Sequence, residues 1–333
     1  MIILGIDTSC DDTSAAVVSR GEQILSSIVS SQTEIHNKYG GIVPELASRR
    51  HVEMIWPVVD EALREASISF DAVNAIAVCC GPGLIGSLLV GCGFAKAVGY
   101  ARNIPLVGVN HLEGHIFSAF LEKMKPEFPF LSLIASGGHT SLFIINGFGQ
   151  YKELGKTRDD AAGEAYDKVS KLLGLGYPGG PLIDRLASDG DAGAYDFPRA
   201  WLPESFDFSF SGLKTAVKLV VGRDAGLIGN PVFLADIAAS FQASVVDVLV
   251  RKVELAIIKT GIHSVVLSGG VASNSGLRKK INEMANARET KVFLPSPALC
   301  TDNAAMIASA GYYHYVAGDT ASLDLNPKAY LKL

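Results

Sequence analysis

Apolar and polar positions along this chain alternate in short, well-separated blocks, and the blocks repeat. Residues 2–7 and 14–18 are apolar runs joined by a polar stretch, Thr8 to Thr13, and read as two strands around a turn. Residues 44–66 carry apolar positions at helical spacing, with Pro44 suited to a first helical position. Residues 75–80 form a third apolar run, followed by a glycine turn (GPGLIG, 81–86) and a helical stretch over 87–100. Residues 104–109 make another buried strand. Asn110 then sits where an N-cap belongs, with Glu113 three residues on as in a capping box, so a helix starts at His111.

The second half repeats this plan. Residues 130–135 and 141–145 read as strands around the turn SGGHT (136–140), echoing residues 2–18. Residues 264–267 read as a strand followed by SGGVASN (268–274) and a helix, echoing 75–100. Between them, 150–235 reads as an insertion, with a helix over 159–173 from which Asp167 projects and with aromatics that look exposed. The last helix covers 304–316. Two lobes of one plan, each with a glycine turn, predict an α/β fold of the actin, Hsp70 and sugar-kinase (ASKHA) type, duplicated and two-lobed, with a nucleotide cleft between the lobes. The expected lobes are 1–128, with about 305–333 packing back on it, and 129–304.

Length changes this picture little: 333 residues suit two domains, and 48% hydrophobic residues with 34 glycines support a large core with many tight turns. No apolar run reaches about 18 residues without a polar interruption, so no membrane span is expected. The first residues lack a basic segment and read as a strand rather than a signal peptide. Five cysteines without a C-x-x-C pair suit reduced thiols in a cytoplasmic protein. A net charge of −5 argues against a stand-alone nucleic-acid binder.

The chemistry concentrates in a few places. His111 and His115 lie four apart on one helical face and make half of a first-row metal site, or a pair of core or capping histidines. Glu113, two residues after His111, points away from that face, so this is not the H-E-x-x-H of a zinc protease. Asp302, just before the last helix, reads either as a cap or as a third ligand. The turn from Thr8 to Thr13, with Asp11 and Asp12, suits a phosphate, a cation or a plain hairpin. Arg49, Arg50 and His51 form a small basic cluster expected on the surface. The 81–86 glycines match G-x-G-x-x-G, but they follow the third strand and no acid stands at the ribose-binding position. They are read as allowing close helix packing or approach to a phosphate. Neither a Walker A motif nor a G-x-S-x-G elbow is present.

Seven motifs stand in one register: HLEGH (111–115), SGGHT (136–140), DAAGEAYD (160–167), YPGGP (177–181), FSFSGLK (208–214), GGVASN (269–274) and CTDN (300–303). In order and spacing the chain resembles the TsaD family of tRNA adenosine threonylcarbamoyltransferases over its whole length. The resemblance implies transfer of threonylcarbamoyl from threonylcarbamoyl-AMP to the N6 amine of the adenosine 3′ of the anticodon, position 37, in tRNAs reading codons that begin with A, with release of AMP. It implies one iron (Fe2+) or zinc ion held by His111, His115 and Asp302. It places the adenylate against Ile134, Ala135, Ser136, Gly137 and Gly138, with Asp167, Gly180, Asp184 and Asn274 around its adenosine. Asp11 is the candidate catalytic base. The implied partners are tRNA, a TsaB-like paralogue and a TsaE-like ATPase, with the helix near Trp56 as docking surface and no membrane. Other readings fit less. An ASKHA-type kinase or ATPase, or a non-enzymatic scaffold, leaves the His pair unexplained. A metal-dependent small-molecule carbamoyltransferase would share the metal site without tRNA, and a metallopeptidase lacks a placed base.

Overall fold

A computed structural model describes residues 1–227 and 229–333, which form two compact units. The first is Met1–Lys125 with Ala298–Leu333, the second Pro126–Pro297. The first unit runs β1 (Ile2–Asp7), β2 (Thr13–Ser19), β3 (Gln23–Ser30), α1 (Thr33–Asn37), α2 (Pro44–Glu65), β4 (Ala75–Gly81), α3 (Ile85–Arg102), β5 (Leu106–Asn110) and α4 (His111–Phe117). The second runs β6 (Phe130–Ala135), β7 (Thr140–Gly147), β8 (Gln150–Lys156), α5 (Ala162–Leu172), α6 (Gly179–Ala187), α7 (Ser211–Arg223), α8 (Pro231–Thr260), β9 (Ser264–Ser268), α9 (Ser275–Ala287) and β10 (Lys291–Phe293). Then α10 (Pro297–Cys300) carries the chain back to the first unit, which ends with α11 (Ala304–Val316) and a tail.

The sheets share one topology. In the first the order is β3-β2-β1-β4-β5, with β1 and β2 antiparallel, β2 and β3 antiparallel, and β1, β4 and β5 parallel. In the second the order is β10-β9-β6-β7-β8, with the same sense at each corresponding pair. The central strands are almost wholly buried because helices cover both faces of the first sheet, which is why they read as unbroken apolar runs rather than alternating ones. Helix α2 contributes Ala47, His51, Ile55, Val58, Val59, Ala62 and Leu63, three or four residues apart, to that cover. On the opposite approach α11 lies so close that a side chain at Gly5 would collide with the carbonyl of Ala304. This contact seats the start of α11, and Asp302 just before it, at the end of β1.

The structure departs from expectation in three places within the second unit. Residues 150–156, assigned to an insertion, are the edge strand β8. Helix α5 starts at Ala162 rather than 159. Asp159 instead accepts from the backbone N–H groups of Phe210 (2.8 Å) and Ser211 (3.3 Å), anchoring the start of α7. Phe208 and Phe210 are buried while Ser209 and Ser211 face outward to Asp159, a strand-like alternation that hid core aromatics in an apparently exposed loop. The first unit also resumes at Ala298, so Asp302 belongs to it and not to the segment ending at 304. Helix α8 is long and apolar enough to cross a membrane by composition, yet 67% of its most apolar stretch is buried in the second unit, as befits a core helix.

Candidate metal centre and nucleotide cradle

At the end of β5 the Asn110 side chain accepts a hydrogen bond from the Leu112 N–H at 2.9 Å and so starts α4. His111 and His115 follow one turn apart, their rings 4.7 Å centre to centre at 75°. Across from them, Asn303 caps α11 by accepting from the Met306 N–H at 3.0 Å, which leaves the carboxylate of Asp302 free of that duty. Asp302 Oδ1 lies 3.5 Å from His111 Nε2 and 3.3 Å from His115 Nε2. One ligand atom from each of the three residues falls within 4.8 Å of the others, a spacing that suits a single small ion. His115 is fully buried and neither of its ring nitrogens makes a hydrogen bond. A buried imidazole left so costs free energy unless a further ligand takes a nitrogen lone pair, and a metal does that. The residues present therefore fit the group.

His111 is held from behind. Its Nδ1 lies 3.1 Å from Ser9 Oγ and 3.5 Å from Asp7 Oδ2, while Asp7 Oδ1 accepts from the Ser9 N–H at 2.9 Å. That is how a protein aims a histidine at a metal through its other nitrogen. Asp7, Cys79 and His111 also cluster closely, but burial and then Asp7 push the Cys79 thiol up to about 12, which disfavours it as a ligand beside the carboxylate of Asp302. The triad with Asp302 is the better site. Burial works against the charge on His111, but Asp302, with help from Asp7 and Cys79, outweighs it and raises its pKa well above the usual value. His115 goes down through burial, and Asp302, despite burial, is drawn well below its usual range by His111 and His115. Within the triad the surroundings thus favour charge on Asp302 and His111 and disfavour it on His115.

Two acids of the β1–β2 turn share this neighbourhood. Asp11 is raised by burial, with Asp302 adding to the effect. Burial, then Asp11, push Asp12 to about 7. His51, expected on the surface with Arg49 and Arg50, is instead fully buried. It binds Thr13 Oγ1 at 2.7 Å and the Cys10 carbonyl at 3.0 Å, stapling the turn to α2.

The glycines divide into two classes. In the 81–86 turn a side chain at Gly81 would collide with the Lys328 carbonyl, one at Gly83 with the Ser9 carbonyl, and one at Gly86 would press on Ser48 Oγ. This turn serves close packing of its own chain. In the second unit Gly137, Gly138, Gly180 and Gly270 have open space where a side chain would stand, and none has positive φ. Neither packing nor backbone conformation asks for glycine there, so the backbone lies open, as it also does at Gly212 and Gly222 of α7. Gly137, Gly138, Gly180 and Gly270 adjoin. Gly163 N–H donates to the Ser136 carbonyl at 3.1 Å, setting the start of α5 against the 136–138 turn. Gly179, beside Gly180, packs on the Tyr166 carbonyl and the Cα of Asp167, and its N–H donates to Asp167 Oδ1 at 2.7 Å. Gly269, beside Gly270, packs on the Ala135 carbonyl.

Comparison with known proteins decides the family. The sequence profile of TsaD, tRNA N6-adenosine threonylcarbamoyltransferase, matches residues 23–309. The protein of that name from Thermodesulfovibrio yellowstonii is 59% identical over 100% of both chains. That from Clostridioides difficile is 52% identical over 100% of this chain and 98% of the other. This chain belongs to the TsaD family. Among solved structures, T. kodakarensis HypF matches at a TM-score of 0.64 and 14% identity, over 96% of this chain and 48% of that one. The ROK hexokinase of Thermus thermophilus matches at 0.52 and 16%, over 96% and 99%. At these identities they show the fold alone, and that fold is the duplicated actin, Hsp70 and sugar-kinase type.

The structure of this TsaD-family chain brings His111, His115 and Asp302 together in the first unit, with Asp11 in the neighbouring turn. It brings Ser136, Gly137, Gly138, Asp167 and Gly180 together in the second. Ile134 and Ala135 are fully buried at the end of β6, backbone included, so neither offers a surface to a ligand. Asp184 accepts from Gln242 Nε2 (3.0 Å), Asn274 Nδ2 (3.0 Å), Ser275 Oγ (2.8 Å) and Ser275 N–H (3.0 Å), and Asn274 also caps α9. These two residues tie α6, α8 and α9 together. Asp7, Ser9 and Gln242 escaped sequence reasoning. Gln242 alone carried a signal, as a lone amide inside an apolar helix, and Asn274 donates to its Oε1 at 2.6 Å. Glu113, read as half of a capping box, accepts from His314 Nε2 at 2.9 Å.

Proposed function

We propose that this tRNA N6-adenosine threonylcarbamoyltransferase takes its acyl group from threonylcarbamoyl-AMP and delivers it to the N6 amine of adenosine 37 in tRNAs reading codons that begin with A. The observation that carries the reading is the His111, His115 and Asp302 triad, in which the buried His115 ring makes no hydrogen bond, an arrangement that a kinase or ATPase of this fold has no use for. Held by His111, His115 and Asp302, a divalent metal, iron or zinc, would supply Lewis-acid chemistry and a template for the donor. The open backbone at Gly137, Gly138, Gly180 and Gly270, beside Ser136, supports the adenylate, with Asp167, Asp184 and Asn274 around its adenosine. In the reaction the N6–C bond forms, the C–O bond to AMP breaks, AMP leaves with the electron pair, and N6 gives up one proton. Asp11 and the adjacent Asp12, whose carboxyl is pushed up to about 7, are the candidate acceptors of that proton. An aryl amine is a weak nucleophile, so positioning and charge stabilisation carry most of the rate.

With 29 basic and 34 acidic residues the chain has little to offer a polyanion. We assign the remaining affinity to a TsaB-like paralogue and a TsaE-like ATPase. Trp56, Val52, Ile85 and Leu89, all about half exposed or more on the packed helices α2 and α3, are the apolar docking surface proposed for a partner. The test is incubation with tRNA and threonylcarbamoyl-AMP, with and without those partners and after chelation, followed by nucleoside analysis. Threonylcarbamoyladenosine that is lost on chelation and restored by metal is expected. Full modification by a metal-stripped enzyme would overturn the reading.

A further inference from the structure

The tail after α11 does not trail away. Ala321 N–H donates to the Leu106 carbonyl at 2.7 Å, and Lys96 Nζ donates to the Leu325 carbonyl at 3.1 Å. Lys328 N–H donates to the Cys80 carbonyl at 2.8 Å, and Gly83 N–H donates to the Ala329 carbonyl at 3.2 Å. Asn110 Nδ2 donates to the Lys332 carbonyl at 3.1 Å. From the start of β5 the tail thus runs to the C-terminal ends of β4 and β5, where Lys328 to Lys332 lie, the edge at which α/β proteins build their sites. The fit has shaped the sequence: Gly81, at φ +140°, is a position where any side chain would meet the Lys328 carbonyl.

Two routes lead from the tail to one side chain. Through Asn110, whose Oδ1 caps α4 while its Nδ2 holds the tail, the tail sets the entry of the helix whose first residue is His111. Through Ala329 it holds Gly83, which rests on the Ser9 carbonyl, and Leu84 N–H donates to that same carbonyl at 2.8 Å. Ser9 in turn binds His111 Nδ1. We propose that residues 325–332 are a positioning strap for the metal centre, fixing the His111 ring from both sides through Asn110 and Ser9. Partners that orient a metal-bound histidine are worth about ten- to a hundredfold in metal affinity. The strap acts one step further out, so the lower end is expected. This inference rests on the metal reading above.

The test uses the full chain, with Zn2+ alone as probe. Asn110→Asp keeps the oxygen that caps α4 but turns a carboxylate oxygen toward the tail carbonyls. Lys328→Pro removes the N–H given to Cys80 and leaves α4 untouched. Hydrogen exchange at the Gly83 amide reports on the strap, chelator competition on Zn2+ affinity, and the His111 ring resonances of the metal-free protein on ring position. In both variants Gly83 should exchange faster, His111 should shift, and Zn2+ affinity should fall about tenfold. For Asn110→Asp the fall is diagnostic, because an added negative charge beside the site would by itself tighten cation binding. Release of the strap with Zn2+ affinity within about twofold of wild type would overturn the proposal. So would undiminished protection of Gly83 in both variants, since these bonds would then not hold the tail. A wild-type chain that binds no Zn2+ would instead sink the metal reading, so the two failures are told apart.

Discussion

Metal uptake by this enzyme should expel one proton, and the proton should come from His111. In the metal-free site Asp302 is drawn below its usual range and His115 is lowered by burial, while His111 is raised well above its usual range by Asp302 against the opposing effect of burial. A metal needs the Nε2 lone pair that carries this proton, so the two compete. The sign follows: lowering the pH favours the proton, and metal affinity falls. Below the raised pKa of His111 the apparent affinity should change about tenfold per pH unit, or about 1.4 kcal/mol. An ordinary histidine pair would level off just above pH 6.5 or so, which makes pH 7 to 8.5 the telling range. The assay is calorimetric titration of chelated, desalted protein with Zn2+ in two buffers of different ionisation enthalpy, which counts released protons directly. Asp302→Asn removes the charge that raises His111, so burial prevails, proton release at pH 7.5 should vanish, and affinity at pH 8.5 should fall because a ligand is weakened. Absence of proton release in the wild type at pH 7.5, or equal release in Asp302→Asn, would refute the reasoning.

In the second unit, Gly137→Val should weaken adenylate binding by about tenfold or more because it fills open space at the cradle, whereas Ser136→Ala, which loses a hydroxyl bonded to the His139 N–H, should cost about 1 kcal/mol of stability and little affinity. Calorimetry showing the reverse order would remove the backbone cradle. His314, raised from 6.5 to about 9 chiefly by its bond to Glu113, should contribute up to roughly 3 kcal/mol of stability that is fully present below pH 6.5 and lost as pH rises through 9. Denaturant titrations of wild type and His314→Gln should therefore differ at pH 6 and converge near pH 10, and a constant gap would exclude the pair as its source. The chain alone should bind tRNA weakly and less so with added salt, and tight binding by filter assay at physiological salt would contradict the charge argument.

The duplication is legible in the pattern of the chain alone. Strands flanked by helices on both faces must be apolar throughout, and small residues must follow them, so the pattern of β1, β4, β6 and β9 and of their turns was readable. The His111 and His115 pair was readable too, because a four-residue step on a helix places two side chains together whatever lies around them. What tertiary structure alone decided were relations between distant segments. Whether Asp302 caps α11 or faces the histidines depended on Asn303 taking the cap. Asp7 and Ser9 reach His111 across about a hundred residues, and no local spacing encodes that. His51 looked like part of a basic surface patch because its neighbours are arginines, but its own rotation about α2 turns it inward onto the β1–β2 turn. The glycines of 81–86 and of 136–138 are alike as letters. They differ in what stands above them: the chain's own tail and first turn in one case, open space in the other. Periodicity reports which face of an element is covered, and only the folded chain supplies what covers it.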